Sequence, residues 1–290
     1  MLKKIIYLYI ALVAFCAVLG ANDFDAFNSQ IESRWSAFQA EKEFTLFASG
    51  KSDAVLQQEF EKIQAIRREV WEGKDYELAS NLFVNDLIRA PGCVSFAFNN
   101  TVPYFNASTM HLRQRNHIAC EGPRSKDIPS FFNLLATHRV THLVRLTDSY
   151  EGATKKCHPY WEGLMSTSAD GKNILNVPVD GKNYLICTYD MAYWQDNHGV
   201  EADKLLECVL QVKKDLEQVD GLLVVHCSAG VGRTGTFLAA LAIVDAIDEK
   251  EPFSIEEIVY RLSLQRPHSV SRCSQYITLH RLAEAYIDLL

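Results

Sequence analysis

Three observations predict an α/β fold. Leu222–Val225 (LLVV) is a short apolar run that ends in a polar loop, the pattern of a buried strand. Arg233–Val244 (RTGTFLAALAIV), just past that loop, is rich in Ala and Leu and reads as a buried helix. Strand-like runs at Thr141–Leu146, Ile174–Val179 and Asn183–Tyr189 are interleaved with helical stretches at Ile128–His138 and Glu201–Val219. With 290 residues, 48% hydrophobic and 22% charged, the chain can bury the core such a fold requires. Its net charge of −7 gives no reason to expect nucleic acid as a partner, so any anion site must be built locally.

Lys3 and Lys4 precede an apolar run from Ile5 to Leu19, followed by the small residues Gly20 and Ala21. This is the layout of a secretory signal peptide over residues 1–21, the run being short for a membrane span of about 20 residues. The expected destination is therefore export, secreted or periplasmic, with membrane attachment only if the segment is retained as an anchor. Of the eight cysteines, Cys16 lies in this leader. The others are odd in number and irregularly spaced, so no disulfide framework is implied.

Residues 22–80 read as a helical N-terminal segment. Phe24, Phe27, Ile31, Trp35 and Phe38 recur at helical steps, and Val55, Phe60, Ile63, Ile66 and Val70 do so after a break at Ser49–Ser52. Packing on the following domain is the expected role; a partner-binding arm is the alternative. Residues 81–93 (NLFVNDLIRAPGC) form an irregular loop ending in Pro-Gly. Tyr104–Ser108 and His117–Pro123 each read as a strand running into a turn, and Asn106-Ala-Ser108 also fits a glycosylation sequon. Asp180-Gly181 suits a hairpin turn between two strands. Ser254 caps a helix (SIEEIVYRLSLQ), with Glu257 completing a capping box, and Ser274–Leu290 is the last helix.

The chemistry concentrates in the loop His226–Gly232 (HCSAGVG) between the buried strand and the buried helix. A helix N-terminus presents unpaired N–H groups and a partial positive charge. A tight loop leading into it aims more N–H groups inward, forming an anion nest. Gly230 and Gly232 permit the backbone geometry, and Arg233 adds a planar, permanently charged fork matched to phosphate oxygens. A cysteine in that field is expected as a thiolate, with its pKa lowered toward roughly 3.5–7.5. A nucleotide-binding phosphate loop is excluded because the Lys-Ser/Thr ending is missing, and His226-Cys227 lacks the paired spacing of a zinc site. An anion site that holds a nucleophile points to attack on a phosphate ester.

HCSAGVGRTG is similar to the phosphate loop of the tyrosine-specific, cysteine-based protein tyrosine phosphatases, and the resemblance runs from about Asn81 to the C-terminus. It implies one catalytic domain, 81–290, built on a twisted mixed β-sheet flanked by α-helices, with the helical segment as an addition. It also implies a phosphotyrosine protein as substrate and a phosphocysteine intermediate. No cofactor or metal is called for, since loop and arginine supply the positive charge. Cys227 is then the nucleophile. Ser228, Ala229, Gly230, Val231, Gly232 and Arg233 hold the phosphate. Thr234 hydrogen-bonds the departing thiolate, and His226 tunes it from behind. Glu151, Lys156, Tyr160 and Trp161 match the family's Glu-x4-Lys-x3-Tyr-Trp, so Glu151 holds Arg233 and Lys156 contacts the acid loop. Tyr193–Val200 (YWQDNHGV) resembles that mobile loop, with Trp194 as hinge anchor and Asp196 as general acid; Asp190 sits too early, in the strand.

The chain departs from the family pattern in several places. Gln195 replaces the loop's proline and Asn197 reads as an insertion, which leaves the loop less constrained. Gln265–Tyr276 resembles the family's Gln-Arg-Pro segment; Gln275 matches its second glutamine, and Ser271 stands where the water-positioning glutamine belongs. Phe83 aligns with the tyrosine that flanks the substrate ring, and Asn85 with an aspartate. Phe83 is either a stacking surface or a core residue. Two other functions stay open on these departures: a secreted cysteine-based inositol polyphosphate phosphatase, which would favour a basic pocket rim, and a phosphotyrosine-binding fold with weak turnover. The sequence says nothing of oligomeric state.

Overall fold

The computed structural model describes residues 44–71, 105–113, 115–219 and 221–290. The chain divides into two compact units, Met1–Phe44 and Thr45–Leu290, and the described residues beyond Phe44 lie in the second. The leader, the helix expected over 24–38 and the Phe83 loop lie outside the described residues.

Helix α1 (Asp53–Trp71) comes first, followed by the hairpin β1 (Ala107–Leu112) and β2 (Arg115–Cys120). A 3₁₀ turn, Ser125–Asp127, leads into α2 (Ile128–Thr137) and then β3 (Val140–Arg145). A small hairpin, β4 (Tyr150–Glu151) and β5 (Thr154–Lys155), precedes β6 (Met165–Thr167), β7 (Asn173–Val179) and β8 (Lys182–Asp190). The remainder is α3 (Ala202–Gln218), β9 (Leu222–His226), α4 (Gly232–Asp248), α5 (Ile255–Gln265) and α6 (Cys273–Leu289). The sheet is seven-stranded, in the order β1-β2-β9-β3-β8-β7-β6. Strands β2, β9, β3 and β8 run parallel, while β1, β7 and β6 add antiparallel edges, so the sheet is mixed.

Strand β9 lies between β2 and β3, and its residues alternate between two cores. Leu223 and Val225 face the larger core with α1, α3, α4, α5 and α6; Val224 faces the smaller one with Phe131, Leu134 and Leu135 of α2. Helix α4 is apolar on every face from Phe237 to Val244, and those residues are all buried. Burial at both ends of this strand-loop-helix unit fixes the loop between them.

Local chemistry accounts for several boundaries. Asp180 (φ 49°) and Gly181 (φ 71°) make the left-handed two-residue turn that suits the twist of the β7–β8 hairpin. Ser254 Oγ accepts the Glu257 N–H at 3.3 Å, so the hydroxyl half of the expected capping box forms. Two expectations for the N-terminal segment need correction. Residues 44–52 are not helical, and Val55 faces solvent at 43% exposure. The buried stripe of α1 is Leu56, Phe60, Ile63 and Ile66, which packs toward α5 and α6 and brings Phe60 to 5.8 Å from Tyr276. Among the described residues no helix is long and apolar enough to cross a membrane.

Candidate active site

Cys227 follows directly on the buried end of β9 and is 2% exposed. The loop after it is bent so that its carbonyls point away from the thiol. The Ser228 carbonyl accepts the Gly122 N–H at 2.9 Å, and Arg266 donates through Nη2 to Ala229 O (3.3 Å) and through Nε to Gly230 O (2.6 Å). The Gly230 N–H instead donates to Cys227 Sγ at 3.2 Å. Gly230 has φ 72°, and a Cβ there would lie 2.2 Å from the Cys120 carbonyl oxygen, so both conformation and space demand glycine. Arg266 is fully buried, with Nη1 donating to Ser108 Oγ at 2.9 Å. The Gln-Arg-Pro segment was legible as a motif, but this bracing of the loop was not.

Arg233, on the first turn of α4, is 1% exposed. Its Nη1 donates to Glu151 Oε1 (2.6 Å) and to the Trp194 carbonyl (2.7 Å). Nη2 lies 3.1 Å from Asp196 Oδ1 as an ion pair, yet neither Nη2 nor Nε makes a hydrogen bond among the described residues. One edge of the guanidinium is thus anchored and the other retains its donors. Burial pushes the guanidinium pKa down, but the charges of Cys227, Asp196 and Glu151 outweigh burial and hold it above its ordinary value.

Glu151 joins three parts of the site. Besides Arg233 it accepts the Asp196 N–H on Oε2 at 3.1 Å and lies 3.8 Å from Lys156 Nζ. Lys156 donates to Asp196 Oδ2 at 2.7 Å. Burial alone would raise the Asp196 carboxyl; the Lys156 hydrogen bond and the Arg233 charge prevail and hold it below the usual carboxylate range. Asp190, by contrast, pairs with Arg145 at the end of β8.

Behind the nucleophile, His226 is fully buried, and burial pushes its pKa down to about 4. Burial also keeps Tyr160 a phenol, so its O–H donates to His226 Nε2 at 2.7 Å. Nδ1 therefore carries the proton and donates to the Cys227 carbonyl at 3.1 Å. The imidazole is neutral and orients the Cys227 backbone. Thr234 is fully buried and its hydroxyl has no hydrogen-bond partner among the described residues. Gln275 Oε1 accepts the N–H groups of Ser271 (3.0 Å) and Arg272 (3.2 Å) at the start of α6. A Cβ on Gly232 would lie 3.0 Å from Gln275 Nε2 and 2.5 Å from Ser271 Oγ, so both side chains reach the phosphate loop. Val231 is buried beside them, and Phe83 is outside the described residues.

The loop bearing Asp196 is tied down despite Gln195. Trp194 is 1% exposed and its Nε1 donates to the His198 carbonyl at 2.8 Å. The extra residue, Asn197, takes φ 61°, and its Oδ1 accepts Nε (3.0 Å) and Nη2 (2.8 Å) of Arg272. That fork supplies a constraint where the family has proline, and nothing local in the sequence announced it. Arg272→Ala is expected to lower kcat on a phosphotyrosine peptide by ~2- to 10-fold, the equivalent of about 0.5–1.5 kcal/mol for an exposed hydrogen bond. An activated aryl phosphate, which needs no proton on its leaving group, is expected to change little. Equal loss on both substrates would show that the latch does not act through Asp196.

Residues 93–177 and 170–284 match the family model described as protein-tyrosine phosphatase. The human receptor-type tyrosine-protein phosphatase alpha is 25% identical over 271 residues, covering 82% of this chain and 33% of the relative. The mouse receptor-type tyrosine-protein phosphatase C is 30% identical over 207 residues, covering 63% of this chain and 16% of the relative. The chain thus spans a third or less of the length of these relatives. A solved protein tyrosine phosphatase from Trypanosoma brucei superposes with a TM-score of 0.64 at 22% identity, over 81% of this chain and 92% of that one. That likeness speaks for the fold.

Proposed function

The chain belongs to the protein-tyrosine phosphatase family, and on that premise we propose that it hydrolyses phosphotyrosine in protein substrates through a phosphocysteine intermediate. The observation that carries this reading is the gathering of three groups at the phosphate loop. They are Cys227 Sγ under the Gly230 N–H, the free donor edge of Arg233, and the Asp196 carboxylate 3.1 Å from that guanidinium.

The Cys227 thiolate attacks phosphorus in line with the tyrosine oxygen. An S–P bond forms, the P–O bond breaks, and its electron pair passes to the phenolate. Loop N–H groups and Arg233 stabilise the equatorial oxygens, a preorganised electrostatic contribution. A phosphate dianion against Arg233 offsets the charge that holds Asp196 down, so the carboxyl takes up a proton as substrate binds and delivers it to the leaving oxygen. Water then attacks phosphocysteine with Asp196, now a carboxylate, accepting its proton. The Thr234 hydroxyl supports the departing thiolate, and Gln275, with Ser271, holds the water. The basic, apolar and small-residue layout of residues 1–21 supports export of the enzyme.

Turnover of a phosphotyrosine peptide, a phosphoserine peptide and inositol hexakisphosphate tests the reading. We expect kcat/KM for the phosphotyrosine peptide to exceed the other two by at least ~10²-fold, since only a flat aryl ester carries phosphorus to a thiol sunk this deep. Preference for the inositol phosphate would move the chain to the second enzyme class. Tight binding of the phosphotyrosine peptide without turnover would make it a binding fold.

A further inference from the structure

Arg67, near the end of α1, is 4% exposed, and its guanidinium is bonded to backbone carbonyls far along the chain. Nη1 donates to the Val270 carbonyl at 3.0 Å, and Nη2 donates to the carbonyls of Ser269 (2.5 Å) and Val259 (3.5 Å). Burial lowers its pKa to about 9, with no carboxylate among the described residues to offset it, and it remains a cation at neutral pH. A buried, unpaired guanidinium is a costly way to pack a helix, so what it grips matters.

The turn it grips is strained and leads directly into the site. His268 (φ 65°) and Val270 (φ 56°) both take the left-handed backbone region, which a β-branched residue holds only where its surroundings impose it. Ser269 and Val270 are fully buried, so their carbonyls have no access to water. The turn has no slack against α4 either: a Cβ on Gly235 would lie 2.6 Å from Val270 N and 2.8 Å from Ser269 Cα. The next residue is Ser271, whose N–H is held by Gln275. A second tie from the same helix lies beyond Gln275. Buried Glu59 accepts the Tyr276 hydroxyl on Oε2 at 3.1 Å, while Lys51 holds Oε1 at 2.6 Å. Helix α1 thus restrains the Ser271–Gln275 segment from both ends. The short side chain of Ser271 makes that restraint consequential. Its hydroxyl turns on one bond close to the backbone, so a shift of the turn carries the oxygen with it, and small misplacements of reacting groups are expensive.

We propose that Arg67 is a positioning residue for the second chemical step: through the Ser269 and Val270 carbonyls it sets where Ser271 and Gln275 hold the water that attacks phosphocysteine. The proposal rests on the phosphocysteine reading above. In that step the water oxygen bonds to phosphorus, the P–S bond breaks, its electron pair returns to Cys227 as thiolate, and the water proton passes to Asp196. Arg67 acts on this only through the turn. The first step is held by other ties, Arg266 under the loop and Glu151 on Arg233.

The test measures kcat and KM of wild type, Arg67→Met and Arg67→Lys on a phosphotyrosine peptide and on an activated aryl phosphate, with rapid mixing to follow leaving-group release. Because kcat/KM ends at the first irreversible step, P–O cleavage, a defect confined to the second step lowers kcat and KM together. For Arg67→Met we expect kcat to fall ~5- to 10-fold on both substrates, KM to fall with it, and kcat/KM to stay within about twofold. A stoichiometric burst of leaving group should precede the slow steady rate. Arg67→Lys keeps the charge without the fork and is expected to recover part of kcat. Ile63→Val, a packing change elsewhere on α1, is expected to leave both constants unchanged. If kcat and kcat/KM fall together at constant KM, the variant has only lost folded enzyme, and the proposal is overturned. Wild-type constants in both Arg67 variants, the same kcat and KM pattern in Ile63→Val, or failure of both Arg67 variants to fold overturn it as well. Wild-type enzyme that turns over neither substrate would instead fail the phosphocysteine reading, and the proposal with it.

Discussion

Cys227→Ser is expected to lower turnover of a phosphotyrosine peptide by at least ~10⁴-fold while its Kd stays within about threefold of the wild-type value, the scale of loss seen when a nucleophile is removed from a preorganised site. The substitution changes one atom at a position that is 2% exposed, so packing is disturbed little. What it removes is the sulfur nucleophile, which a serine hydroxyl, un-ionised near neutral pH, does not replace. What it leaves is the anion nest. The Gly230 N–H remains in place because its carbonyl is held by Arg266 at 2.6 Å, and Arg233 remains anchored by Glu151 and the Trp194 carbonyl. Stopped-flow turnover and calorimetric binding of one peptide check the two halves separately. Activity near wild type would remove Cys227 from its role, and lost binding would show that the thiol itself organises the loop.

The second large effect is expected at Asp196. Asp196→Ala should slow the phosphotyrosine peptide ~10²–10³-fold, the range for loss of a general acid, and an aryl phosphate with an acidic leaving group only a few-fold. The pH profile should change with it. In the free site Lys156 and Arg233 hold the carboxyl below its usual range, so the protonated fraction shrinks as pH rises. With the wild type, kcat/KM for the peptide is expected to fall as pH rises past this lowered pKa, and the fall should flatten in the variant. Peptide binding should hold or tighten, because Lys156 Nζ and Arg233 Nη2 lose an anionic neighbour at 2.7 and 3.1 Å. Equal losses on both substrates would transfer the search for an acid to other groups. Asp190 is poorly placed for it, paired as it is with Arg145.

Much of this protein was legible in order along the chain. Periodicity located α2, α3, α6 and the β7–β8 hairpin to within a residue or so at most ends, because each rests on neighbours in sequence. The stripe on α1 was off by a position at its start. Val55 fits the helical period, but Leu56 is the residue turned inward, since α5 and α6 choose which face is covered. The acid loop shows the same limit. Gln195 suggested slackness, and Arg272, far along the chain, supplies the restraint through Asn197.

By itself, the sequence determined the strand, the glycine loop and the buried helix that carry Cys227 and Arg233. Backbone freedom, a helix N-terminus and apolar burial are properties of consecutive residues, so they are written in one short stretch. The tertiary structure alone decided the rest. It brought Arg266 under the loop carbonyls, set Glu151 between Arg233 and the Asp196 backbone, and made His226 a neutral partner of Tyr160. It also brought Arg67 of α1 onto the Ser269 and Val270 carbonyls. Charge and desolvation act through space and fall off within a few ångströms, so which groups govern one another follows from folded distance, which spacing along the chain does not encode.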